Sequence, residues 1–90
     1  MAKAKIEYAI TFARSARKEL ERLEPAQVNR IFPIIESLTQ NPRPTQCKKL
    51  SGLQNLWRIR VGDYRLIYHI HDKQKMVDIV AIRHRREAYR

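Results

Sequence analysis

Ninety residues suffice for one domain, expected to span 1–90, with a single modest core; a deep active site between lobes is excluded, so any functional surface should be open. A hydrophobic content of 43% with two glycines and four prolines excludes a disordered tail, and a lone cysteine, Cys47, excludes an intrachain disulfide or a tetracysteine metal site. The net charge of +10 comes from 19 Lys and Arg against 9 Asp and Glu. It is uneven: residues 41–90 carry 12 basic and 4 acidic side chains, against 7 and 5 in residues 1–40. A field of that sign suits a polyanion, an acidic protein or an anionic surface. Eight of the 12 cations are arginines, whose planar fork matches phosphate oxygens, which favours nucleic acid.

Lys5 to Ile10 alternate polar and apolar side chains, the pattern of a half-buried strand. Thr11 is then placed to cap a helix whose apolar positions are Phe12, Ala16, Leu20 and Leu23, with Arg14, Arg17, Lys18, Glu21 and Arg22 on the solvated side. Pro25 opens a second helix burying Val28, Ile31, Phe32, Ile35 and Leu38; Pro33 inside it predicts a kink or an early end. "QNPRPTQ" at 40–46 is a loop, and Cys47 beside it reads as a half-buried thiol. From Leu56 the period changes to two, with Trp57, Ile59 and Val61 on one face and Arg58 and Arg60 on the other. Gly62 and Asp63 turn the chain into a strand over Tyr64–Ile70, and His71–Lys75 turn it again into a strand over Met76–Ile82. The fold class is therefore α+β, in the order β-α-α-β-β-β: an antiparallel meander with a helical hairpin packed on one face. No stretch approaches ~20 apolar residues, which points to a soluble cytoplasmic protein without a membrane partner.

The open sheet face carries the residues that packing does not explain. Arg58 and Arg60 point away from the core side, Arg65 follows across the turn, and Arg83, His84, Arg85 and Arg86 close the last strand. Like charges on adjacent strands repel, so an anion-binding concavity is expected there. Cleavage of RNA by its own 2′-hydroxyl needs an acceptor for that proton, a donor for the departing 5′-oxygen, and cations at the phosphorus. Arginine serves only as the cation. His84 and Tyr89 are the candidates for proton transfer, Tyr89 being equally suited to stacking on a base. His69, His71 and Asp72 lack a suitably spaced further ligand, so no metal site is assigned.

"WRIRVGDYRLIY" and the ending "HRREAYR", with "FARSARKELERL" near the start, make nearly the whole chain resemble the RelE branch of the RelE/ParE toxin superfamily. The resemblance implies the toxin of a type II toxin–antitoxin pair and a metal-independent, cofactor-free endoribonuclease. Such an enzyme cuts messenger RNA at the ribosomal A site, leaving a 2′,3′-cyclic phosphate, and an adjacently encoded acidic antitoxin occupies or distorts its site. Matching positions place phosphate-stabilising arginines at Arg65 and Arg85 and the catalytic tyrosine at Tyr89. Where family members carry two lysines, one a proposed base, this chain has Arg58 and Arg60, which puts a lysine-type base in doubt. The base is then His84 or Tyr89, with Arg58, Arg60, Arg65 and Arg85 holding phosphate and Lys48, Lys49, Arg83 and Arg86 binding RNA. The alternatives are a ParE-like toxin that inhibits DNA gyrase without cutting RNA, and a plain basic binding module.

Overall fold

A computed structural model describes residues 7–50 and 55–88. Along the chain it contains β1 (Ala9–Phe12), α1 (Arg14–Arg22), α2 (Pro25–Ser37), β2 (Lys48–Lys49), β3 (Leu56–Val61), β4 (Tyr64–His71), β5 (Met76–His84) and α3 (Arg85–Ala88). The five strands form one sheet in the order β1-β5-β4-β3-β2. The expected meander is β3-β4-β5, joined antiparallel.

Several expectations need correction. The sheet is mixed, because β1 runs parallel to β5 at its edge, Ile10 opposite Val77 and Phe12 opposite Ile79. The strand also lies later than the alternation from Lys5 suggested; Lys5 and Ile6 fall outside the described residues. Pairing decides its end: the Ala9 amide bonds to the Lys75 carbonyl and the Ala13 amide to Ile79, both at 2.8 Å, so Phe12 is held in the ladder instead of opening the helix. Thr11, expected as the helix cap, turns its hydroxyl to the Asp78 carboxylate at 2.9 Å, and the cap position falls to Ala13, with no side-chain bond. Finally, the sequence pattern did not reveal β2, two residues paired with β3, or the four-residue α3.

The core forms where the helices meet one sheet face. Ala16 from α1, Ile31 and Ile35 from α2, and Leu38 just after it pack with Ile59, Leu66, Tyr68, Ile70, Val77, Ile79 and Ile82. Each fully buried Leu or Ile contributes roughly 1.5–3 kcal/mol of hydrophobic stabilisation. Phe32 departs from the expected stripe and stays 40% exposed. The helix also continues through Pro33 to Ser37. Pro33 and Asn29, whose carbonyl loses its helical donor, are both exposed, so water replaces the missing bond at small cost.

An irregularity in β5 sets the direction of everything after it. Ile67 is opposite Ala81 but Tyr68 is opposite Ile79, so Val80 has no counterpart on β4. Strict alternation forbids Ile79 and Ile82, three apart, from facing the same core; the bulge at Val80 allows it. From there on, Arg83 faces away from the helices and His84 faces their side.

The loop before β2 is tied to the sheet at several points. Tyr68 is fully buried and donates its hydroxyl to the Pro42 carbonyl at 2.8 Å. Arg43 makes two bonds to the Asp72 carboxylate, at 3.3 and 2.8 Å, and lies 5.1 Å from the Trp57 ring centre. Cys47 is half-buried there, as expected. No helix among the described residues is long and apolar enough to cross a membrane.

Candidate functional site

The face turned away from the helices carries a band of cations fixed by strand register. Arg60 stands opposite Arg65, and Arg65 opposite Arg83 on its other side; Lys48 stands opposite Arg58. Like charges held directly across a ladder cost energy, which is recovered when an anion lies over them.

The band ends at a small cavity of about 110 Å³ at the tip of the β3–β4 hairpin. Arg60, Gly62, Asp63, Tyr64, Arg65 and Arg85 line it. Gly62 makes the tight tip possible, with a left-handed backbone at φ 60°. Arg85 reaches the cavity because its amide donates to the Asp63 carbonyl at 2.6 Å, so the end of β5 is stitched to the hairpin. Its guanidinium lies 4.0 Å from the Asp63 carboxylate, both side chains about two-thirds exposed at 64% and 66%. An ion pair that open adds at most ~1 kcal/mol; the backbone bond does the positioning. Three guanidinium groups on one small cavity suit a phosphate-sized anion.

The remaining expected site residues divide. Arg58 and Lys48 lie on the same open face, away from the hairpin tip. Arg83 is there too, but its Nε donates to Glu19 on α1 at 2.8 Å. Lys49 instead shares the side of Trp57, with its Nζ 6.0 Å from the ring centre. Arg86 is exposed on α3. Tyr89 lies outside the described residues.

His84 does not share the face of Arg65, which corrects the expectation that it joins those cations. It is opposite Tyr64, on the helix side, with the two rings 5.2 Å apart and nearly perpendicular. Its Nδ1 accepts the Arg86 amide at 3.2 Å, so the imidazole caps the start of α3. The bulge at Val80 is the physical reason, since it exchanges the two faces of β5 before His84 is reached. His69 and His71 stack on each other at 5.7 Å, while Asp72 is engaged by Arg43 and by the Tyr8 hydroxyl. Among the described residues no three potential ligands come together for a metal.

Sequence reasoning missed two neighbours of the cavity. Asp63 looked like a turn residue only. Arg30 of α2 lies directly behind the turn, where a Cβ on Gly62 would come within 2.7 Å of its Nη2. The "GD" turn next to "YR" was the available signal for Asp63; Arg30 had none, being distant in sequence.

With this geometry established, comparison with known proteins decides the family. Residues 10–89 match the family of the ParE toxin of the type II toxin–antitoxin system parDE. The chain belongs to the RelE/ParE toxin superfamily. Within it, the chain is RelE-like: it is 30% identical over 76 residues to a toxin of the RelE type from Methanocaldococcus jannaschii, covering 81% of this chain and 84% of the relative. The archaeal RelE–RelB complex from Pyrococcus horikoshii superimposes with a TM-score of 0.78 at 30% identity, covering 88% of this chain and 96% of that one. The RelBE2 toxin–antitoxin complex from Mycobacterium tuberculosis gives 0.76 at 27% identity, with coverage of 92% and 97%. The resemblance read from "WRIRVGDYRLIY" and "HRREAYR" is thus correct at the level of family and fold, and this RelE-type chain is the toxin of a type II pair.

Proposed function

We propose that this toxin is a metal-independent endoribonuclease that cuts messenger RNA in the ribosomal A site, by attack of the 2′-hydroxyl on the adjacent phosphorus. The observation that carries the proposal is the convergence of Arg60, Arg65 and Arg85 on one small cavity at the hairpin tip. Guanidinium groups fixed around a phosphate stabilise charge that grows on its oxygens as the fifth bond forms. Arg58, Lys48, Arg83 and Arg86 hold the flanking RNA, and Lys49, on the other side of the sheet edge, is left out of that group. Tyr89, next in sequence after α3, protonates the departing 5′-oxygen. His84 supports α3 through its bond to the Arg86 amide. The products are a 2′,3′-cyclic phosphate and a 5′-hydroxyl.

The partner that restrains it is an acidic antitoxin; the M. tuberculosis relative forms a toxin–antitoxin complex. Its carboxylates compete with RNA for the cationic face. The cell compartment that fits this substrate is the cytoplasm.

Purified toxin incubated with 70S ribosomes and an end-labelled message should give discrete cuts with cyclic phosphate ends, also in the presence of a chelator. The ParE description of the matching family supports a second reading, gyrase inhibition. An intact message together with blocked DNA supercoiling would establish that reading instead.

A further inference from the structure

We infer that Asp63 is the proton acceptor of the cleavage reaction, a role that rests on the nuclease reading above. Among the described residues, the cavity at the hairpin tip is lined by three arginines, a glycine, a tyrosine and one carboxylate, Asp63. Guanidinium groups do not give up their protons, so Arg60, Arg65 and Arg85 cannot accept one from a 2′-hydroxyl. The Tyr64 hydroxyl has a proton of its own to donate, and its ring is packed against the core and against His84. The His84 Nδ1 already receives the Arg86 amide. Among the described residues, Asp63 is the lining residue that remains.

Its position suits the task. The carboxylate lies 4.0 Å from Arg85 Nη1, so a phosphate oxygen bound by Arg85 is the carboxylate's neighbour. In an attacking geometry the 2′-oxygen lies roughly 3–3.5 Å from the phosphorus, hence at the same rim. A cavity built only to bind phosphate would do better without a negative charge on its wall. Nor is the side chain needed to hold Arg85: the Asp63 carbonyl does that at 2.6 Å whatever residue stands there, and the exposed ion pair adds little.

The step balances. The 2′-hydroxyl proton passes to an Asp63 oxygen as the 2′-oxygen bonds to phosphorus; the bond from phosphorus to the 5′-oxygen breaks, and that oxygen takes the Tyr89 proton. Water then carries the proton from Asp63 back to the tyrosinate.

The test is single-turnover cleavage on ribosome-bound message, with RNA affinity measured in parallel for wild type, Asp63→Asn, Asp63→Glu and Asp63→Ala. Asparagine keeps the turn and the size but removes the base, so the cleavage rate should fall by about 10²-fold or more while RNA binds as tightly or tighter. Glutamate should retain more activity than asparagine, and added formate should raise the rate of Asp63→Ala but not of Asp63→Asn, whose amide fills the space. Wild-type cleavage matched within about threefold by Asp63→Asn would overturn the role of Asp63 and leave the nuclease reading standing. Rate and affinity falling together, without rescue by formate, would equally overturn it in favour of mere positioning. Failure of the wild type to cut would remove both proposals.

Discussion

Glu19 on α1 binds β5 with both carboxylate oxygens: Oε1 accepts the Ile82 amide and Oε2 accepts Arg83 Nε, each at 2.8 Å. β1 pairs with β5 only as far as Ile79, so beyond that point the edge of β5 needs another acceptor. Glu19 supplies it, and together with Ser15, whose hydroxyl donates to the Val80 carbonyl, it ties the helix to the strand that delivers Arg85. Glu19→Ala leaves the Ile82 amide without its partner in a half-covered site, which should cost about 1–3 kcal/mol in urea unfolding. Glu19→Gln keeps an acceptor and should cost less. Equal losses in both would assign the effect to the Arg83 ion pair instead of the amide.

A second anchor sits at the opposite end of the sheet and should be sensitive to acid. The Arg43 guanidinium, and after it the Tyr8 hydroxyl, hold the Asp72 carboxyl down to about 2, below its ordinary 3.8. A depressed folded-state value means that the contribution is complete above the unfolded value and is lost as pH falls through the folded one. The urea midpoint should therefore decline between about pH 4 and 2. Asp72→Asn should lower the midpoint at neutral pH and flatten that decline. A variant whose acid limb matches wild type would shift the cause to other carboxylates.

At the hairpin tip, Gly62 has two reasons to resist substitution, and they differ in weight. A Cβ would fall 2.7 Å from Arg30 Nη2, but that is the far end of a flexible side chain, which can move. The left-handed backbone at φ 60° cannot be relieved that way and costs a residue with a Cβ about 1–2 kcal/mol. Gly62→Ala should thus lose about that much stability, and adding Arg30→Ala should not restore it. Recovery in the double variant would show that the contact, and not the backbone, dominates.

Much of this arrangement was legible in the sequence, and the exceptions share a cause. The helix pair and the β3–β4 hairpin follow from three-four and two-residue periodicities that run long enough to be unambiguous. Four-residue β1 does not, because its limits depend on which residues of β5 it pairs with. The bulge at Val80 is hidden in "DIVAIR", where an unbroken apolar run gives no sign of which residue lacks a partner. That single residue decides on which face His84 lies. Arg60, Arg65 and Arg85 could be grouped from the turn between the strands, whereas Arg30 enters only through tertiary packing.

Arg65 is flanked by Arg60 and Arg83 across the two ladders and lines the cavity, so it belongs both to the band that attracts RNA and to the group that meets the reacting phosphate. These roles can be separated. Attraction is spread over several cations, so removing one should weaken RNA binding by less than about tenfold and reduce the slope of log affinity against log salt by roughly 0.7, the single-strand value for one phosphate contact. Stabilisation of a developing charge is not shared in that way, and one fixed donor is worth about 10²–10³ in rate. Arg65→Ala should therefore lose far more in cleavage rate than in affinity, while Lys48→Ala, away from the cavity, should lower affinity and salt slope slightly and leave the chemical rate unchanged. Single-turnover rates and filter-binding titrations at several salt concentrations, on the same RNA, make the comparison; a loss in Arg65→Ala that is equal in rate and affinity would reduce Arg65 to an anchor.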